Sequence, residues 1–297
     1  MPSFRSAGEQ ARHLVKKKTE HGRSRRKHRN LQADFIASVG TEVKYRGNIK
    51  RVILSLQEKK LCAADLTPDI ARELLEQKSE RYSQSTLDGY RQAMQMVFQI
   101  QIPLVLSKKT KELRPRAYLG VQIELLCSRA TEHLKFAICL ARNGGMRAHE
   151  LDTICRAEET REDVRHWLTA RFAGREDGVR YVVIGKGGLC RQIILDQVLA
   201  EQLELARLPA PILKRQREIN YTKHYGILGG QSFSMQFSRL CVRVLGWSEG
   251  AHGLRHTFAQ ERLLALQVLG YDFGDALLIL SQELGHFSIK NTLTYLR

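Results

Sequence analysis

The sequence predicts a mainly helical protein of two domains, a helical bundle followed by a C-terminal domain with a small antiparallel β-sheet. Two observations predict it. Apolar residues recur at helical spacing through most of the chain, as in Ile49, Val52, Ile53 and Leu56. The β-signals are confined to residues 166–195, where Val- and Ile-rich runs flank a Gly-rich turn. At 297 residues the chain is long enough for a sizeable core and two domains.

Charge narrows the class of partner. Forty-eight Lys and Arg against 31 Asp and Glu give a net charge of +17, a balance that points to a polyanion, either nucleic acid or an acidic membrane surface. No apolar run approaches the length of a membrane span, and the Lys-rich start lacks the apolar segment of a signal peptide. Nucleic acid is the better partner. The six cysteines, Cys62, Cys127, Cys139, Cys155, Cys190 and Cys241, are scattered without a Cys-x-x-Cys pair. That argues against a zinc ribbon and a disulfide framework, and for reduced thiols in a cytoplasmic, DNA-associated protein.

Residues 1–30 hold ten Lys or Arg and two acids. With little to bury, they read as a flexible basic arm. Lys16, Lys17, Lys18, Arg25, Arg26 and Lys27 are its densest points, and an arm on DNA phosphates explains that density better than a solubilising tail. Residues 31–106 read as about four helices. Leu31, Phe35, Ile36 and Val39 fit one helical period, and Thr67-Pro68-Asp69 is a helix start with a capping hydroxyl and Pro at the first position. Ser85-Thr86 opens the last of them. Residues 107–118, basic and broken by Pro115, read as a linker, and the pattern does not separate a strap on DNA from an ordinary solvated loop.

The second domain covers 119–297. Helices are expected over 121–128 and 132–142. Asn143-Gly144-Gly145 breaks the chain, and Arg147 opens a helix through Leu151, where free N–H groups and the helix dipole favour an anion. Glu150 can fix the Arg147 guanidinium; by itself the pair reads as a surface ion pair. Residues 166–171 and 179–184 are strand-like, and 190–195 returns after Gly185-Lys186-Gly187-Gly188, which puts Lys186 at a hairpin tip. A helix over 199–208 stops at Pro209 and Pro211. An amphipathic helix over 231–245 turns Arg239 and Arg243 outward, towards phosphate or merely solvent. The His252–His256 spacing of four lacks the Glu of a zinc-protease helix, so no metal is expected, and His256 reads as structural.

The end of the chain gathers chemistry: His252-Gly-Leu-Arg255, then Leu284-Gly-His286, then Tyr295. Arg grips phosphate oxygens bidentately, imidazole moves protons near neutral pH, and a deprotonated Tyr is a covalent nucleophile. With Gly145-Met-Arg147-Ala-His-Glu150-Leu151 and Lys186, the order and spacing resemble the tyrosine recombinases, or phage integrases, across roughly 119–297. The resemblance implies a two-domain DNA-breaking and rejoining architecture whose helical first domain clasps the duplex. It also implies a homo-oligomer, dimer to tetramer, on double-stranded DNA, and site-specific recombination of a mobile element. Arg147, Arg255 and His286 would hold the scissile phosphate, Tyr295 would form a 3′-phosphotyrosyl bond with His252 as its base, and Lys186 would protonate the leaving 5′-oxygen. No cofactor is needed, because bond energy stays in the protein–DNA ester. The sequence departs from the family by ending two residues after Tyr295, where the family continues in a tail that docks on a neighbouring subunit. A type IB topoisomerase and a DNA-binding regulator without catalysis are the rival readings; an RNA-binding protein lacks a stacking-aromatic motif.

Overall fold

The structure, a computed structural model, describes residues 5–21, 35–110, 114–185, 188–216 and 219–297. The chain divides into two compact units, with the break between residues 112 and 113.

The first unit contains α1 (Ala7–Lys16), α2 (Val39–Glu58), α3 (Pro68–Lys78) and α4 (Gln84–Phe98), with a short 3-10 turn at Ala63–Asp65. Residues 5–21 are therefore not the structureless arm expected from their charge. Ser6 and Glu9 form a capping box: Ser6 Oγ accepts from the Glu9 amide at 3.3 Å and Glu9 accepts from the Ser6 amide at 2.8 Å. Ala7, Ala11 and Val15 then recur every four residues and bury against α2, within the apolar cluster of the unit. Arg25, Arg26 and Lys27 lie outside the described residues. Phe35 and Ile36 are extended rather than helical: Ile36 bridges Thr19 in parallel, donating its amide to the Lys18 carbonyl at 2.6 Å. The helix starts later, at Val39, where Ser38 Oγ accepts from the Thr41 amide. Thr67 caps α3 through the Ile70 amide at 3.3 Å, with Pro68 in the first turn.

The second unit runs through α5 (Gly120–Ser128), α6 (Glu132–Asn143), a 3-10 turn (Glu150–Thr153), β1 (Cys155–Arg156), β2 (Val179–Ile184), β3 (Cys190–Leu195), α7 (Gln197–Leu205), β4 (Arg207–Gln216), β5 (Ile219–Tyr225), α8 (Gly230–Leu245), α9 (His252–Val268), α10 (Phe273–Glu283) and α11 (Ile289–Leu293). β2 pairs antiparallel with β3 from Val179–Leu195 to Ile184–Cys190, and β1 completes a three-stranded sheet in the order β1-β2-β3. Residues 166–168 are irregular and 169–171 form a turn, not a strand. Trp167 Nε1 donates to the Asp163 carbonyl, and Arg171, stacked 3.9 Å from the Trp167 ring, is paired with Glu162. Gln282 of α10 also accepts from the Leu168 amide at 2.7 Å and donates to the His166 carbonyl at 3.0 Å, so the segment needs no ladder. The two-stranded sheet β4–β5 was not expected, because Pro209 and Pro211 read as breakers; a two-stranded ribbon has only edges, where a missing N–H is tolerated. Two apolar clusters fill this unit, one from α5, α6, α8 and the sheet, the other from α9, α10 and Tyr295. No helix among the described residues is long and apolar enough to cross a membrane.

Candidate active site

The site is built where α6, β3, α9 and the chain end meet. After α6 the chain turns through Gly145, whose φ is +56°. A Cβ there would sit 2.4 Å from the Phe258 ring, so only glycine fits. The turn aims the Gly145 carbonyl at two guanidinium groups: it accepts from Arg255 and, at 3.4 Å, from Arg191. Arg147 does not open an α-helix, because the next element is the 3-10 turn that begins at Glu150. A helix dipole therefore plays no part at Arg147, and a carboxylate fixes it instead. Glu150 accepts from the Arg147 guanidinium at 2.7 Å and from its amide at 2.9 Å.

Glu150 is the centre of this arrangement and is fully buried. Arg191 donates to it at 2.8 Å, and Arg255 lies 3.7 Å away. Burial alone would raise its pKa, but Arg191, Arg255 and Arg147 together hold the carboxyl well below the usual range. Three guanidinium groups around one carboxylate leave two positive charges in excess. The excess shows on Arg255, which burial first and Arg147 second push down to about 9. For Arg147, Glu150 and then Tyr295 outweigh burial and push it up.

Tyr295 closes the site from the other side, 8% exposed and following α11. Its hydroxyl lies 3.0 Å from His252 Nε2. The His286 ring is 4.8 Å from the phenol ring, and the Arg255 guanidinium carbon is 5.6 Å from it. Arg255 also donates to the Leu284 carbonyl and approaches His286 Nε2 at 3.4 Å, while His286 Nδ1 faces Thr292 Oγ1 at 3.2 Å. An arginine only donates, so Nε2 accepts there and Nδ1–H points to the threonine. Burial first, then Arg255, push both His252 and His286 down to about 3. Without an anion both imidazoles are neutral at pH 7.

Arg147, Glu150, His252, Arg255, His286 and Tyr295 thus come together. Lys186 lies outside the described residues; its neighbour Gly185 lies against the cluster, since a Cβ there would be 3.3 Å from Glu150 Oε1. Lys16 ends α1 in the first unit, Lys17 caps it and Lys18 follows in a turn. Arg239 and Arg243 are exposed on α8, and Arg243 donates to the Arg129 carbonyl. One member of the cluster, Arg191, was not singled out from the sequence, and another, His256, was read there only as structural. Arg191 shares the inward register of β3 with Ile193 and Leu195, and a charged residue on a strand's core face is the signal that marks it. His256 stacks on Tyr295 with ring centroids 4.6 Å apart; its i+4 relation to His252 was the available clue. No group of three His, Cys, Asp or Glu placed to hold a metal ion exists among the described residues.

Helices surrounding a three-stranded sheet, with a guanidinium cluster facing a terminal tyrosine, have the tyrosine recombinase or phage integrase fold. The similar solved structures are particular. XerH site-specific recombinase, in a post-cleavage complex with palindromic difH substrate, matches with a TM-score of 0.59 at 15% identity over 98% of this chain and 90% of that one. A lambda integrase dimer bound to a COC′ core site matches at 0.56 and 18% identity, over 91% of this chain and 75% of that one. The Tn1549 transposon integrase with transposon right end DNA matches at 0.54 and 16% identity, over 97% and 94%. At such identities the likeness is one of fold. No protein-family model and no curated protein matches the chain.

Proposed function

We propose that the chain is a site-specific DNA recombinase that cuts and rejoins double-stranded DNA through a 3′-phosphotyrosyl bond, serving integration or excision of a mobile element. One observation carries this reading: a tyrosine hydroxyl 3.0 Å from an imidazole nitrogen, beside a guanidinium cluster with two uncompensated positive charges. A phosphodiester brings the charge that cluster lacks. Arg147 and Arg255 would hold its non-bridging oxygens and stabilise the extra charge of the pentacovalent transition state. Its anionic field opposes the two arginines that depress His252 and His286, so both imidazoles become better bases once DNA is bound. His252 Nε2 then takes the phenol proton, the Tyr295 oxygen bonds to phosphorus, and the bond from phosphorus to the 5′-oxygen breaks. His286, protonated once that anionic field outweighs the arginines, would turn Nε2–H to a phosphate oxygen. Lys186, next to Gly185, would supply the proton for the leaving 5′-oxygen. A 5′-hydroxyl from a partner strand reverses the steps.

The net charge of +17 supports DNA as the partner. The lambda integrase neighbours are a dimer on a core site and a tetramer on a Holliday junction, and assembly of two to four copies on DNA is proposed here by analogy. Lys16–Lys18, Arg25–Lys27, Arg239 and Arg243 are proposed backbone contacts.

The test uses nicked suicide duplexes tiled across the DNA that flanks the gene. The wild-type chain should give an SDS-resistant protein–DNA adduct, and Tyr295→Phe should bind the same duplex without one. An adduct persisting in Tyr295→Phe refutes the proposal.

A further inference from the structure

α11 is only five residues long, too short to fix a side chain by itself. What holds Tyr295 is a stripe of α9. His252, His256 and Gln260 are spaced four residues apart and share one face of that helix. Each meets a different part of Tyr295. His252 Nε2 faces the hydroxyl at 3.0 Å. The His256 imidazole stacks on the phenol, centroids 4.6 Å apart and planes 28° apart. Gln260 Nε2 donates to the Tyr295 carbonyl at 3.4 Å and to the Arg297 carbonyl at 3.2 Å.

His256 is 2% exposed, and its Nδ1 is buried without a partner among the described residues. A purely structural role would be filled better by an apolar ring, which carries no such desolvation cost. We propose that His256, helped by Gln260, is a positioning residue for the nucleophile: it fixes the plane of the Tyr295 phenol and the backbone behind it, so that the hydroxyl meets His252. This rests on the reading of Tyr295 as the nucleophile. His256 itself takes no proton in the reaction. Burial first, then Arg116, push its imidazole down to about 4, so it stacks as a neutral ring at pH 7.

The experiment is single-turnover adduct formation by the full chain at saturating suicide duplex, with DNA affinity and thermal stability measured beside it. His256→Ala removes the stacked face and should slow adduct formation about 10²-fold, the scale of an ångström-sized misplacement, with affinity changed less than about twofold, because Tyr295 adds little ground-state binding. His256→Phe keeps a ring and removes the orphaned nitrogen. It should be at least as stable as wild type yet react about fivefold more slowly, because the larger six-membered ring shifts the phenol by a fraction of an ångström. Gln260→Ala should slow adduct formation about fivefold, the worth of one hydrogen bond, and it decides the matter if His256→Ala fails to fold. Wild-type rates per folded molecule in His256→Phe and Gln260→Ala would overturn the positioning role and leave the nucleophile standing. No adduct from the wild-type chain on any duplex would remove the nucleophile as well.

Discussion

The two units differ in what they bury. Among the described residues the first unit buries an apolar set from α1 to α4, with Asn48 and Ser79 as its only buried polar side chains. The second buries Glu150, Asp152, Arg191, Arg255, Arg262 and Glu283 among its apolar clusters. Taking a charge out of water costs several kcal/mol unless partners and hydrogen bonds compensate. A fold has no need of that expense, as the first unit demonstrates. The second unit accepts it at one place above all, around Glu150, where the compensation is deliberately short of complete. Charge that is buried but not neutralised can be neutralised by a ligand.

The largest way to break this comparison is to remove its centre. Glu150→Ala strands three guanidinium groups and should destabilise the second unit by about 3–5 kcal/mol. The only tryptophans, Trp167 and Trp247, both lie in that unit, so denaturant titration followed by tryptophan fluorescence reads it directly. A loss below about 1 kcal/mol, the scale of a surface pair, would mean that the network is not strained by excess charge. Next comes the opposite kind of core. Ile53, fully buried in α2, should cost about 2–5 kcal/mol when changed to Ala. Circular dichroism measures that loss, and the adduct rate per folded molecule should not change. A rate that falls with Ile53→Ala would tie the apolar core to the chemistry.

The mildest prediction concerns pH. His252, His256 and His286 are held near 3, 4 and 3, burial being the first cause in each. Their unfolded values lie near 6.5. A depressed folded value means that the unfolded chain binds the proton first, so stability is full above about 6.5 and is lost as pH falls towards the folded values. Glu150, also depressed, acts in the same sense at lower pH. The Tm read by tryptophan fluorescence should therefore fall from pH 7 to pH 5, and less steeply with DNA bound. A Tm unchanged or rising on acidification would contradict the buried neutral imidazoles.

Local patterns were legible where local physics decides. The β2–β3 hairpin matches its expected strands at 179–184 and 190–195, because β-branched runs around a Gly-rich turn have few alternatives. The Thr67–Pro68 helix start is likewise a local bond and a fixed φ. What failed depends on partners distant in sequence. α1 was hidden by its charge, although its Ser-x-x-Glu box and the spacing of Ala7, Ala11 and Val15 were there to read. Residues 166–171 have strand-like composition, yet the Leu168 amide donates to Gln282 of α10 and the His166 carbonyl accepts from it. At the site, spacing named the residues at the chain end, but Arg191 and the role of Glu150 as a shared acceptor emerge only when β3 packs behind the 3-10 turn.

The central claim is that the phenol of Tyr295 becomes the covalent link to DNA, and it can be read directly. The adduct trapped on a suicide duplex, digested with nuclease and protease, should yield by mass spectrometry one modified peptide with a 3′-nucleotide phosphate on Tyr295. A phosphate carried by Tyr271 or by a serine or histidine, with Tyr295 unmodified, would contradict the account.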